Sequence, residues 1–328
     1  MYKIVITGKT FPQVIDKLSQ SCEIKIWEQS SPIPRKTLAE WLADADGLFS
    51  TMVPIDDELL ANAPSLRVIA QSSVGFDNIN LEACIARNIP VSNTPGVLVE
   101  ATADLAFGLV LNAARRIPDA AAFVKNGLWT KTTSFRPFGV DLYGKTLGIV
   151  GMGNIGAAAA KRAQASGMKV IYSNRRRRED DEILNAGYVS FDQLLKESDF
   201  VLVLAPLSEE TRGLFGRAQF AAMKTTAYFI NAARGAIVNT DALYQALLNG
   251  DIAYAALDVT DPEPLSSDHP LLTLPNILIT PHIGSATTET RLAMAMLAAD
   301  NLIEGLNRRP LLTCINPSVN YKVSQASD

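Results

Sequence analysis

The chain has 328 residues, 48% of them hydrophobic, three cysteines and a formal net charge of −4. That length suits two domains with real cores, and the mildly acidic balance excludes a general nucleic-acid or membrane-surface footprint. Cys22, Cys84 and Cys314 are odd in number, far apart and not in metal-ligand spacing, so they read as packed, reduced thiols and no metal is expected.

Met1–Thr7 already reads as a strand and not as a leader peptide, and no apolar run approaches a membrane span. The expectation is a soluble, cytoplasmic protein. Through residue 92, short apolar runs (3–7, 23–27, 47–50, 66–70, 89–91) alternate with helical spacing at 12–19, 36–43, 56–63 and 81–87. Such alternation predicts a parallel sheet with helices on both faces. One loop stands out, Gln71-Ser72-Ser73-Val74-Gly75-Phe76-Asp77-Asn78, at the carboxyl end of a strand where open α/β sheets present ligand sites. Gly75 lets backbone N–H groups turn toward an anion, and a plain turn accounts for the same residues equally well.

Residues 100–117 are helical and strongly apolar, with Arg115-Arg116 complementing the helix dipole and Pro118 as a stop. A helix of this composition is expected to be buried between domains or subunits, and residues 126–144 to form a long functional or interfacial loop. Leu147–Val150 then runs into Gly151-Met152-Gly153-Asn154-Ile155-Gly156 and the Ala-rich segment 157–165. Strand, glycine turn and helix in that order make a dinucleotide-binding fingerprint. Gly151 would allow the tight turn, Gly153 the approach of a pyrophosphate and Gly156 close packing of helix on strand. The positive end of the helix would face the phosphates.

The next strand, 168–173, ends Ser173-Asn174-Arg175-Arg176-Arg177-Arg178. An acid at that place would bond the ribose 2′-hydroxyl of NAD, whereas guanidinium groups pair with a 2′-phosphate, so Asn174, Arg175 and Arg176 point to NADP(H), with NAD(H) still possible. Further strands are expected at 200–204, 227–231, 254–258 and 277–280, with helices at 191–196, 209–214 and 241–248 and a long one at 287–305 whose tail returns to the first half. Their end loops carry Ala205-Pro206, Ala233-Arg234-Gly235, Asp258 with Glu263, and His282, which a doubly wound sheet gathers along one edge.

The chain has two histidines. His269, in Ser-Ser-Asp-His-Pro, reads as a surface residue. His282, in Thr-Pro-His-Ile-Gly-Ser, gains weight from Arg234 and Glu263 at neighbouring strand ends. An arginine clamps a carboxylate in bidentate fashion. A glutamate bonded to one imidazole nitrogen favours the imidazolium, whose other nitrogen can protonate a carbonyl oxygen as hydride arrives at carbon. With a nicotinamide site these parts describe a 2-keto acid reductase.

Along essentially its whole length the chain resembles the D-isomer-specific 2-hydroxyacid dehydrogenase family, in particular its glyoxylate/hydroxypyruvate reductase and 2-ketogluconate reductase branch. The matching segments are Ser-Val-Gly-Phe-Asp (73–77), Asn-Thr-Pro-Gly-Val-Leu-Val-Glu-Ala-Thr-Ala-Asp-Leu-Ala (93–106), Gly-Lys-Thr-Leu-Gly-Ile-Val-Gly-Met-Gly-Asn-Ile-Gly (144–156), Phe-Ile-Asn-Ala-Ala-Arg-Gly (229–235), Leu-Asp-Val (257–259), Glu-Pro-Leu (263–265) and Pro-His-Ile-Gly-Ser-Ala-Thr (281–287). The resemblance implies an α/β protein of two doubly wound parallel-sheet domains. A Rossmann cofactor domain, residues 99–287, is inserted into a flavodoxin-like substrate domain, residues 1–98 and 288–328, with the active-site cleft between them and a homodimer built on the cofactor domain.

It also implies roles. Arg234 would hold the carboxylate and keto oxygen, the Ser73, Val74 and Gly75 loop would bind the carboxylate, and His282 with Glu263 would be the acid/base pair. Asp258 would orient the nicotinamide carboxamide near Thr102, Ala233 and Gly284, while Ser173, Ala205, Pro206 and Thr211 would line the cofactor. Formate dehydrogenases of the superfamily carry glutamine where this chain has Glu263, and phosphoglycerate dehydrogenases often add a C-terminal regulatory domain, whereas this chain ends soon after its long helix. Two other readings accompany the reductase. Arg136, between Phe135 and Phe138, would suit a phosphorylated sugar acid such as 6-phospho-2-ketogluconate. A non-enzymatic NADP(H)-sensing protein, as in the C-terminal-binding co-repressors, would keep the same triad.

Overall fold

In the computed structural model, which describes residues 1–180 and 182–321, the chain divides into two compact units. The first comprises Met1–Leu98 with the segment that starts at Thr287; the second is Val99–Ala286. Residues 322–328, expected from the sequence to close the first unit, lie outside the described residues.

In the first unit, β1 (Tyr2–Ile6), β2 (Cys22–Ile26), β3 (Gly47–Ser50), β4 (Val68–Gln71) and β5 (Val91–Ser92) form a sheet ordered β2-β1-β3-β4-β5, parallel throughout. That is the flavodoxin-like order. Between the strands lie α1 (Pro12–Ser19), α2 (Arg35–Leu42), α3 (Asp57–Ala61) and α4 (Leu81–Ala86), the last two capped by the Asp56 and Asn80 side chains. Helices α2 to α4 cover one face, where Leu38, Leu42, Leu59 and Leu60 meet Val5, Leu48 and Ile69. On the other face, α1 and the long helix Thr288–Leu306 bury Val14, Leu18, Ala298 and Leu302 against Ile4, Ile6 and Phe49. Burial on both faces explains why the strands read as continuous apolar runs and not as alternating ones.

The second unit contains α5 (Val99–Arg115), α6 (Ile117–Lys125), β6 (Thr146–Val150), α7 (Asn154–Ala165), β7 (Lys169–Ser173), β8 (Gly187–Tyr188), α8 (Phe191–Glu197), β9 (Phe200–Val203), α9 (Arg217–Ala222), β10 (Tyr228–Asn231), α10 (Thr240–Asn249), β11 (Tyr254–Leu257) and β12 (Ile277–Ile279). Its parallel sheet runs β12-β11-β10-β9-β6-β7-β8, so the order reverses at β6 and β9, the place where doubly wound folds bind dinucleotides. Helices α5 and α7 share one face, and α8 to α10 cover the other around Phe215, Phe220 and Phe229.

Three expectations change. Helix α5 was expected between domains or subunits, but its Ala103, Ala106, Phe107, Val110 and Ala113 lie in the second unit's own core beside Ala158–Ala160 and Ala163 of α7. Small side chains on both helices let their backbones approach closely. Pro118 does not stop the helical path. Arg116 turns it with a left-handed φ of 51°, and Pro118 then occupies the first turn of α6, where its missing N–H costs nothing. Residues 209–214 are turns and not a helix: the Thr211 hydroxyl accepts from Ser208 N (2.7 Å) and donates to Pro206 O (2.8 Å), Gly213 takes a φ of 64°, and the helix begins only at Arg217. These side-chain bonds give the backbone an alternative to the helical ladder.

Candidate active site

The glycine turn occupies the carboxyl end of β6. Gly151 adopts a φ of 96°, and a Cβ there would overlap the Ala205 backbone at the end of β9, so only glycine fits. Around Gly153 a Cβ would meet nothing within 4 Å, which leaves open space in front of the first turn of α7. By helix geometry the N–H groups of Asn154, Ile155 and Gly156 lack intrahelical acceptors, so the turn fits a pyrophosphate. A Cβ at Gly156 would press on Gly151 O and Ile149, consistent with tight packing of helix on strand.

The basic turn after β7 divides its labour. Ser173 O accepts from Gly151 N at 3.1 Å. Asn174 Oδ1 accepts from Met152 N at 2.6 Å and its Nδ2 donates to Met152 O, so this side chain braces the glycine turn. Arg178 is structural as well, donating to Met152 O and to both Asp180 oxygens. The Asp180 bond, more than the opposing burial, raises its pKa, and the same bond lowers that of Asp180. Arg175 and Arg176 are exposed, and Arg175 Nη1 lies 3.3 Å from Glu210 Oε2. Of the other residues expected at the cofactor, Ala205 and Thr102 are buried, Pro206 is exposed, and the Thr211 hydroxyl is committed to its own turn.

Arg234, Glu263 and His282 follow β10, β11 and β12, three neighbouring strands. The Arg234 segment is pinned by Asn231, fully buried at the end of β10. Asn231 Nδ2 donates to Arg234 O (2.9 Å) and its Oδ1 accepts from Ala233 N (3.1 Å). A Cβ on Gly235 would overlap the Thr260 carbonyl, so glycine lets the segment lie directly on the loop that carries Glu263. Glu263 Oε2 accepts from Thr260 N at 3.2 Å, and its Oε1 lies 2.6 Å from His282 Nδ1. Both side chains are 41% exposed, so the pair faces solvent with one imidazole nitrogen engaged and Nε2 remaining for a reactant.

His282 has a left-handed φ of 52°, unusual for a residue with a Cβ, and Asp258 maintains it. The Asp258 carboxylate is 2% exposed and accepts from Thr280 Oγ1 (2.6 Å), Ile283 N (2.8 Å) and Gly284 N (2.8 Å). Three of its roughly four acceptor positions are therefore used inside the chain. His269 is half-buried, its Nδ1 accepting from Leu271 N at 3.2 Å, so it caps a short helical turn.

In the first unit, the loop at the end of β4 is held through its carbonyl groups. Ser73 O accepts from Thr94 N (2.9 Å), Val74 O from Asn93 Nδ2 (2.8 Å), and Gly75 O from Gln71 Nε2 (2.6 Å) and Ser73 Oγ (2.7 Å). In a trans peptide the C=O and the following N–H point in opposite directions. The N–H groups of Val74 and Gly75 thus face away from the residues that hold the loop, as an anion site requires. Asn93, Thr94, Gln71 and Asn231 are the supports that motif reading passed over, and Asn231 was visible as a lone amide closing the apolar run Phe-Ile-Asn. In the segment 126–145, the Arg136 guanidinium stacks on Phe138, 4.0 Å from the ring centroid.

A glycine turn at the switch point of a Rossmann sheet, with a histidine–carboxylate pair along the same strand ends, defines a nicotinamide-dependent oxidoreductase. Residues 107–284 match the family model described as D-isomer specific 2-hydroxyacid dehydrogenase, NAD binding domain. The chain is 46% identical over 307 residues to a glyoxylate reductase of Aeropyrum pernix, covering 92% of each protein. It is 47% identical over 318 residues to glyoxylate/hydroxypyruvate reductase B of Klebsiella pneumoniae, covering 96% of this chain and 98% of that one. The crystal structure of an NADPH-dependent glyoxylate/hydroxypyruvate reductase from Sinorhizobium meliloti, in complex with NADP and malonate, superposes with a TM-score of 0.89 at 31% identity, covering 98% of this chain and 99% of that one. The chain belongs to the D-isomer-specific 2-hydroxyacid dehydrogenase family.

Proposed function

We propose that this enzyme is an NADPH-preferring reductase of short 2-keto acids, with glyoxylate and hydroxypyruvate as first candidates and 2-ketogluconate as a larger one. The observation that carries the reading is the 2.6 Å bond between His282 Nδ1 and Glu263 Oε1, which leaves Nε2 to serve a carbonyl oxygen. The names of the Aeropyrum and Klebsiella relatives support the substrate class.

In this reading Arg234 binds the substrate carboxylate and keto oxygen, and the loop of Ser73, Val74 and Gly75 offers backbone donors of the kind a carboxylate takes. When bound, the nicotinamide supplies the hydride. His282 Nε2 gives its proton to the keto oxygen and takes it back in the reverse reaction, while Glu263 holds the ring and stabilises its charged form. Asp258, Thr102, Ala233 and Gly284 line the nicotinamide end. Gly151, Gly153, Asn154, Ile155 and Gly156 serve the pyrophosphate, and Arg175 and Arg176 the 2′-phosphate end, with Asn174 bracing the glycine turn beside them. The NADPH preference is supported by a run after Ser173 that carries no acid before Glu179 and by the exposure of the Arg175, Arg176 and Arg177 guanidinium groups there. A homodimer is supported by the apolar side chains that α6 and the following segment expose: Ile117, Val124, Leu128, Trp129, Phe138 and Tyr143. A reducing, cytoplasmic setting suits the three free cysteines, of which Cys84 has its thiol pushed up to about 11 by burial.

Steady-state rates with glyoxylate, hydroxypyruvate, 2-ketogluconate and its 6-phosphate, each with NADPH and NADH, test the proposal. At least one unphosphorylated acid is expected to turn over faster with NADPH. Equal kcat/KM for the two cofactors would remove the cofactor preference, and turnover of none of the acids would remove the reductase.

A further inference from the structure

The ion pair between Arg175 and Glu210 joins two loops that serve different strands. Arg175 follows β7 and Glu210 follows β9, and in the sheet β6 with its glycine turn lies between these two strands. Both loops are braced from within. Asn174, next to Arg175, is bonded to Met152, and the turn carrying Glu210 is closed by Thr211 on Ser208 and Pro206. The pair is therefore not a chance meeting of two floppy loops, although its side chains are 80% and 68% exposed. In a doubly wound domain the adenosine end of a dinucleotide lies at the carboxyl ends of the strands that correspond here to β6 and β7, within reach of the residues after β7.

We infer that Glu210 competes with the cofactor's 2′-phosphate for Arg175 and thereby holds down the preference for NADPH over NADH. The inference rests on the NADPH reading proposed above. Its physics is direct. A phosphate monoester carries close to two negative charges near neutral pH, and it must share or displace the carboxylate that already occupies Arg175. It also gains a like charge as neighbour. NADH presents a neutral hydroxyl at that position and meets neither cost. Because the pair is solvent-exposed, the effect is modest and falls with salt.

The test is calorimetric titration of the full-length protein with adenosine 2′,5′-bisphosphate and with 5′-AMP, which report binding independently of turnover. In Glu210→Gln the Kd for the bisphosphate is expected to fall by about 3- to 5-fold at low ionic strength, with the Kd for 5′-AMP unchanged and the gain eroded by added salt. Glu209→Gln, which neutralises the adjacent exposed carboxylate, is the control and should leave the ratio of the two Kd values in place. If the unsubstituted protein prefers the bisphosphate but Glu210→Gln leaves that preference unchanged, or Glu209→Gln raises it equally, the inference is overturned while the NADPH reading stands. If the unsubstituted protein binds the two nucleotides equally well, the NADPH reading falls and the competition falls with it.

Discussion

The main-chain N–H of His282 donates to the Asp258 carbonyl at 2.9 Å, and the next two N–H groups, of Ile283 and Gly284, donate to the Asp258 carboxylate at 2.8 Å each. One residue at the end of β11 thus fixes the backbone of the residue that faces Glu263. Replacing Asp258 by Ala strands those two N–H groups and leaves the Thr280 hydroxyl only its 3.4 Å contact with Leu257 O, at a cost on the order of 2–4 kcal/mol. Asp258→Asn keeps one acceptor and is expected to cost less. Urea unfolding midpoints measure the stability loss, and kcat should fall with it as the left-handed turn at His282 relaxes. An Asp258→Ala protein that unfolds at the unsubstituted midpoint contradicts this role.

Gly235 is the corresponding contact for Arg234. A Cβ there would overlap the Thr260 carbonyl, so Gly235→Ala must push the Arg234 segment off the loop whose Thr260 N–H bonds Glu263. Overpacking of this kind costs about 1–3 kcal/mol. The sharper expectation is a rise in KM for the 2-keto acid greater than any change in cofactor Kd, because the strain is applied beside the arginine and away from the glycine turn. Equal changes in the two constants would argue for a general loss of structure instead.

Much of this arrangement can be read from the sequence, and the parts that cannot have physical causes. Strands buried on both faces announce themselves as short apolar runs, so those strands and most helices appear within a residue or two of their expected positions, whereas the two-residue, exposed edge strand β8 carries no such run and was not expected. Helix α6 escaped notice because Pro118 carries opposite meanings inside a helix and in its first turn, and only the left-handed Arg116 distinguishes them. The turn at 209–214 read as helix because the Thr211 hydroxyl bonds that defeat the helix are not a property of composition. Glu263 and His282 were legible as neighbouring strand ends, and a 2.6 Å bond joins them. Of the arginine run, the sequence singles out Arg175 and Arg176 but not the contacts that the run makes. Four identical side chains in a row gave no sign that Arg178 folds back onto Met152 and Asp180 while Arg175 meets Glu210.

Asp199 offers a stability test away from the strand-end loops. Burial pushes its carboxyl up, but the Thr146 N–H and the Lys224 ammonium, each at 2.9 Å, outweigh that and hold it below the usual carboxylate range. A carboxyl depressed by folding adds stability that is present above its unfolded value of about 3.9 and is lost as pH falls through the lower folded value. Asp199→Asn should therefore be less stable than the unsubstituted protein at pH 7, and the two should converge in strong acid. Denaturant midpoints at pH 7, 5 and 3 measure this, and a gap that widens toward pH 3 has the wrong sign.

The acid/base pair itself is tested by separating proton transfer from binding. His282→Ala removes the proton donor without touching the glycine turn, so kcat for keto-acid reduction is expected to fall by about 10²- to 10⁴-fold. NADPH affinity, followed by nicotinamide fluorescence, should stay within a factor of about 2, since a lost side chain on the exposed face of the site takes few contacts with it. Glu263→Gln keeps an oxygen that can accept from Nδ1–H but removes the charge that stabilises the imidazolium. Its amide can also rotate to present N–H and favour the wrong tautomer. Its kcat should therefore lie between those of the unsubstituted protein and His282→Ala, again with cofactor affinity retained. If both variants turn over at the unsubstituted rate, the proton comes from elsewhere and the 2.6 Å bond between His282 and Glu263 serves only to close the loop.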